Sequence, residues 1–222
     1  MRTVRSFVRR EGRMTEAQRR ALDLHLEHYE ARFDNAACDL DALFGRHALH
    51  RIEIGFGMGE SLLAMAQANP DVDFLGIEVY RPGVGNFLRA LNERGIENVR
   101  VLCEDAAEVL AHRIAPASLD AIYLFFPDPW PKKRHHKRRL MSPPFAALVA
   151  SRLAPGGVMH MATDWENYAQ QALTVLSATP GLRNTAENYA PRPEWRTLTR
   201  FERRGERLGH GVWDLVFEKV AE

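Results

Sequence analysis

Five apolar stretches, each ending in a carboxylate, constrain this chain more than any other feature. They lie at 49–54, 73–79, 98–103, 118–126 and 157–162, and the acids are Glu53, Glu78, Asp105, Asp128 and Asp164. Helical patterns separate them. Apolar strands alternating with helices predict right-handed βαβ units and a parallel sheet, so the fold class is α/β. One acid at a strand end is commonly the N-cap of the next helix. Five in succession predict a ring of carboxylates on the edge where such sheets hold ligands, outside the carboxyl ends of the strands.

The first strand runs into EIGFGMGES at 53–61, with an apolar helix over 62–68 behind it. Glycines let a ligand approach the backbone, and a helix N-terminus favours anionic groups. Dinucleotide enzymes want G-x-G-x-x-G, but Glu60 stands where the third glycine would be. The pattern present is Gly55, Gly57, Gly59, with Glu53 two residues ahead. That favours a positively charged ligand without a pyrophosphate, and S-adenosyl-L-methionine (AdoMet) fits. Glu78 is placed to take two ribose hydroxyls, and Asp105 to accept from an adenine amino group. Glu104 reads equally well as an N-cap, a surface residue or a ligand contact.

The fourth stretch ends in FPDPWP at 126–131, followed by KKRHHKRR at 132–139. Phe126, Asp128 and Trp130 each precede a proline and are pushed away from the helical region. A helix across 126–131 is therefore not expected. The reading is a rigid turn that carries Asp128 beside six basic side chains, where a polyanion meets chemistry.

Charge distribution points the same way. Segments 1–20, 132–139 and 192–207 together hold 19 of the 30 Lys and Arg residues but only 5 of the 29 Asp and Glu residues. If they converge, a strongly basic face lies on an acidic body, as a nucleic-acid partner requires.

The rest of the chain supports one domain over 1–222 with a basic N-terminal arm at about 1–20. Thr15 and Gln18 predict a capping box at the start of the first helix. Residues 34–48 read as a loop, 141–153 and 165–178 as helices, and 209–218 as an edge strand. TRFERRG at 199–205 is a basic loop with one aromatic, suited to RNA backbone and base contacts. The two cysteines form no CxxC pair, and His135-His136 has no partner at metal-ligand spacing, so no metal is expected. No apolar run approaches the ~20 residues of a membrane span. A cytoplasmic protein is expected, monomeric or homodimeric.

EIGFGMGES, GIEVYRPGVG, FPDPWPKKRHHKRR, TDWENY and TRFERRG…GHGVWDL, with RSFVRREGRMT at the N-terminus, together resemble the bacterial tRNA (guanine-N7-)-methyltransferases. The resemblance spans nearly the whole chain, and the PDPWPK and TRFE motifs are its most specific parts. It implies a class I, Rossmann-like methyltransferase fold: a mostly parallel seven-stranded sheet, helices on both faces and an antiparallel last strand. It implies AdoMet as methyl donor and a guanosine of the tRNA variable loop as acceptor. Carried onto this chain, cofactor-binding acids are Glu53, Glu78, Asp105 and Asp128, with Asp128 also the catalytic-site acid. Substrate contacts are Lys132, Asp164 and the run Thr199, Arg200, Phe201 and Glu202. RNA contacts are Arg134, His135, His136, Lys137, Arg138 and Arg139. Two rivals are a class I methyltransferase acting on a small molecule or protein, and a non-catalytic RNA-binding module. The first leaves the basic segments unexplained; the second has no need of the acids.

Overall fold

A computed structural model describes residues 13–32, 39–196, 202 and 211–221. The first helix, α1 (Glu16–Tyr29), opens on the expected capping box: Gln18 N donates to Thr15 Oγ1 (3.2 Å), and Thr15 N donates back to Gln18 Oε1 (2.9 Å). The stretch read as a loop contains a short helix, α2 (Leu40–Phe44), capped by the Asp39 carboxylate and ended by Gly45 at φ 71°. Five residues are too few for periodicity to show, and only the cap and the glycine betray it.

From there strands and helices alternate: β1 (Leu49–Ile54), α3 (Glu60–Ala68), β2 (Val72–Ile77), α4 (Arg81–Arg94), β3 (Val99–Leu102), α5 (Ala106–His112) and β4 (Leu119–Phe125). A 3-10 helix (Lys133–Arg138) leads to α6 (Pro143–Arg152), β5 (Leu153–Thr163), α7 (Glu166–Ser177), β6 (Leu182–Asn184) and β7 (Trp213–Lys219). The seven strands lie in the order β3-β2-β1-β4-β5-β7-β6. All pairings are parallel except those of β7, which runs against both β5 and β6. The antiparallel last strand is as expected. Its position is not: β7 is interior, and the three-residue β6 forms the edge.

The pleat sends alternate residues to opposite faces. Ile52, Ile54, Leu75, Ile77, Ile122 and Leu124 pack under α5, α6 and α7. Phe74, Val99, Val101, Tyr123 and Phe125 pack on the other face, with α1, α3 and α4. There α1 lies hard against α4, since a Cβ at Gly85 would come within 2.5 Å of the Gln18 carbonyl. Glu53 sits on this second face, within β1 and 2 % exposed. The strand order reverses between β1 and β4, which is where a cleft opens in such sheets. No helix among the described residues is long and apolar enough to cross a membrane.

Candidate active site

The site begins with the β1–α3 loop. Gly55, Gly57 and Gly59 all have left-handed backbone, at φ 70°, 58° and 82°. A side chain at 55 or 57 would meet open space, so backbone angle alone demands glycine there. At Gly59 a Cβ would also run into the Phe87 ring of α4.

Glu78 closes this loop against the end of β2. Its carboxylate accepts from Gly57 N (2.8 Å), Val79 N (2.7 Å) and Tyr80 N (2.8 Å). An ionised carboxylate offers about four lone-pair positions, so about one is left for a ligand hydroxyl rather than the two expected. Glu53 stands behind it. Burial first, and the Glu78 carboxylate second, push its carboxyl up to about 8, and its Oε2 has no hydrogen-bond partner.

A cavity of about 280 Å³ opens at the reversal point. Gly55, Glu78, Tyr80, Glu104 and Asp128 line it, with an apolar wall that includes Ile54, Ile77, Leu124, Phe126 and Leu140. Glu78 and Asp128 thus meet at one cavity. Asp105 is not among the lining residues: its side chain caps α5 by accepting from Ala107 N (2.8 Å), while its neighbour Glu104 is exposed and faces the cavity. The apolar wall and Tyr80 escaped the sequence reading. Their signal is position alone: all but Leu140, which follows the 3-10 helix, lie at or just beyond a strand end.

As expected, no helix crosses 126–131. Phe126 and Trp130 take left-handed backbone, at φ 50° and 46°. Such conformations cost about 1–3 kcal/mol each in non-glycine residues. The exposed Asp128 stands between them. Asp164, half-buried, leaves the neighbouring strand β5 just after Thr163. It is at the same edge but does not line the cavity.

The basic run divides. Lys132, Lys133, Arg134 and Lys137 are exposed; His135, His136 and Arg138 are half-buried. Arg138 lies over the Trp130 ring (4.9 Å), and His135 meets that ring edge-on (6.0 Å). Desolvation, then the charges of Arg134, Arg138, Lys132 and Lys137, lower the His135 pKa. Arg139 departs from its expected role. It is 3 % exposed, with its guanidinium over Tyr168 (4.8 Å), and so does not belong to the exposed basic surface.

Of the tail motif, Thr199, Arg200 and Phe201 lie outside the described residues, as do parts of segments 1–20 and 192–207. Glu202 is described and is 1 % exposed, its carboxylate taken up by Arg196. Arg196 is a further residue that sequence reading passed over, hidden in a charged run. No group of three or more His, Cys, Asp or Glu side chains among the described residues could hold a metal ion.

The donor set fits a cationic, ribose-bearing ligand. It offers a braced carboxylate in Glu78, glycines that leave the loop open and an apolar wall; Glu53, with Oε2 unbonded, is buried beside Glu78 but does not itself line the cavity. Comparison with known proteins gives the family. A model described as "Putative methyltransferase" matches residues 47–215. The chain is 60% identical to the tRNA (guanine-N(7)-)-methyltransferase of Pseudomonas aeruginosa strain PAO1, over 99% of this chain and 91% of that protein. It is 57% identical to that of Burkholderia cenocepacia, over 100% and 87%. The chain belongs to the tRNA (guanine-N(7)-)-methyltransferase family. Among solved structures, the 16S rRNA methyltransferase KamB is similar with a TM-score of 0.60 at 14% identity, over 86% of this chain and 98% of that one. That likeness is one of fold, and the class I methyltransferase sheet is the shared feature. Within the tRNA (guanine-N(7)-)-methyltransferase family, this chain carries Glu78 and Asp128 on one cavity, and five residues past Asp128 it begins an exposed basic helix.

Proposed function

We propose that this protein transfers a methyl group from AdoMet to N7 of a guanosine in the variable loop of tRNA. The observation that carries it is the place of the basic 3-10 helix Lys133–Arg138 in the chain, between two residues that line the Glu78–Asp128 cavity, Asp128 before it and Leu140 after it. A cofactor pocket alone would serve any methyl acceptor. One that opens beside a row of exposed cations suits a polyanionic acceptor.

When bound, AdoMet supplies an electrophilic methyl. Guanine N7 already carries a free lone pair and is an acceptor on the base edge. No general base is needed, so the chain's work is to bind, orient and stabilise charge. In this reading Glu53 and Glu78 hold the cofactor, Glu53 toward its positive groups. Asp128 orients the guanine by accepting from N1–H and N2–H, and it favours the positive charge that develops on the base. Asp164, at the same edge, shares in holding the substrate. Lys132, Arg134 and Lys137 take phosphates. The target base must leave its stack to reach the cavity. The reading takes the working unit as a cytoplasmic monomer or homodimer acting on tRNA.

The test is methyl transfer from labelled AdoMet to unmodified tRNA, followed by borohydride and aniline cleavage. Cleavage at one variable-loop guanosine is the expected result. Methylated RNA that resists cleavage would reject N7. Bound AdoMet with no transfer to tRNA would point to a small-molecule or protein acceptor.

A further inference from the structure

Arg139 ends the basic run yet faces inward. We infer that Arg139 is a positioning residue, which holds the Asp128 turn against α7 rather than contacting RNA. The inference rests on the catalytic role proposed for Asp128.

The turn is poor in backbone donors of its own. Three of the five residues 127–131 are prolines, with no N–H to donate. Phe126 just before them and Trp130 among them take left-handed backbone. Arg139 supplies a donor from outside it: its Nε donates to the carbonyl of Pro129 (2.8 Å), the residue after Asp128. The other end of the guanidinium grips α7. Nη2 donates to Asn167 Oδ1 (3.0 Å) and Nη1 to Gln171 Oε1 (3.1 Å). A planar fork of five donors can bind a turn and a helix at once, which a lysine cannot.

The grip is doubled two residues on. Met141 N donates to the Tyr168 hydroxyl (3.0 Å), and Gln171 Nε2 donates to the Met141 carbonyl (2.8 Å). One face of α7 thus fixes 139–141 and, through Nε, the turn. The Asp128 carboxylate lies near enough to be felt at the Tyr168 hydroxyl, whose pKa burial chiefly pushes up to about 12. Asp164 lies two residues before α7 begins, so both acids are set in a single frame. A guanidinium this buried would have to abandon all these bonds to reach a phosphate.

The test uses full-length protein, labelled AdoMet and unmodified tRNA. Arg139→Lys keeps the charge and loses the fork. Asn167→Ala with Gln171→Ala removes both side-chain acceptors on α7, leaving only the long bond from Nη1 to the Asn167 carbonyl (3.4 Å), and touches no cation. Single-turnover rates at saturating tRNA should fall about tenfold or more in both, the scale of a small misplacement of reacting groups. The salt dependence of tRNA affinity should keep its slope, whereas Arg134→Ala with Lys137→Ala should flatten it. Arg139→Lys with a wild-type rate and a flattened slope would overturn the inference. So would a wild-type rate in the Asn167/Gln171 variant, which decides alone if Arg139→Lys does not fold. Should the wild-type protein fail to methylate tRNA, the functional reading fails instead. AdoMet affinity then decides the anchor, because Phe126, Pro127, Asp128 and Leu140 line the cavity. Weakening of about tenfold in Arg139→Lys supports it; unchanged affinity overturns it.

Discussion

Arg196 and Glu202 form a buried two-point ion pair. Nη1 donates to Oε2 (2.8 Å), Nη2 donates to Oε1 (2.5 Å), and both side chains are within 2 % of complete burial. Nη2 also reaches Asp214 Oδ2 (3.0 Å), and Asp214 Oδ1 meets His160 Nε2 (2.6 Å). The guanidinium faces the rings of Phe125 (5.9 Å) and Phe126 (5.7 Å). The tail is thereby tied to β7, β5 and the end of β4. Breaking a buried pair by removing one partner costs about 3–5 kcal/mol, because a charge is left stranded. Arg196→Met and Glu202→Ala should both lower the urea midpoint accordingly. A Glu202→Ala protein that lost activity at wild-type stability would show instead that Glu202 acts on substrate alone.

Glu53 makes stability and cofactor binding pH-dependent. Its carboxyl is raised from 4.5 to about 8, by burial first and Glu78 second. The folded protein therefore holds a proton there that the unfolded chain releases. Stability is full below the unfolded value and falls as pH rises toward 8. Glu53→Gln should match wild type below the unfolded value of 4.5 and exceed it increasingly as pH rises toward about 8. A cationic ligand favours the ionised form, so AdoMet binding should release a proton and tighten by up to about tenfold per pH unit below 8. Calorimetry in two buffers of different ionisation enthalpy checks this; equal binding heats would sink the idea.

Two glycines of one loop should respond differently to alanine. Gly57→Ala meets open space and carries only the left-handed penalty, about 1–2 kcal/mol. Gly59→Ala carries that penalty and also drives a methyl into the buried Phe87 ring, for a total of about 2–5 kcal/mol. Thermal unfolding ranks them, and equal melting temperatures would contradict the close packing of α4 on the loop.

The exposed cations should each contribute separately to RNA affinity. Each neutralised phosphate adds roughly 0.7 (single strands) to 0.9 (B-DNA) to the slope of log K against log salt. Removing Arg134 and Lys137 together should lower the slope by up to about 2. The check is filter binding across a salt series, and an unchanged slope would mean that the RNA passes elsewhere.

The alternation of strands and helices was readable because each parallel strand is buried on both faces and so shows as an apolar run. That Glu78 and Asp128 would line one cavity was legible because both follow the carboxyl ends of strands beside the reversal between β1 and β4. What escaped reading depends on partners distant in the chain. The three residues of β6 exist as a strand only beside β7. Arg139 sits in a run whose other members are exposed or half-buried, and nothing local marks it as the one that faces inward. Asp105 looked like a cofactor contact by spacing, yet its carboxylate caps α5 while Glu104 faces the cavity. The interior place of β7 was hidden because alternation alone does not distinguish an edge strand with one wet face from an interior strand that is half covered.

That placement governs assembly. β7 follows β6 in the chain but is inserted between it and β5. A chain made as far as residue 184 therefore presents the flank of β5 bare and leaves β6 with nothing to pair to. Both gaps are filled in one event, when Trp213–Lys219 slots in from about fifty to sixty residues beyond its β5 partners. Because Asp214 of this strand also carries the Arg196–Glu202 pair, the same insertion seats the tail. During synthesis the sheet is thus a zip that stays open on one side until its final tooth arrives, and until then the growing chain carries a sticky strand edge that a chaperone or a second chain can capture.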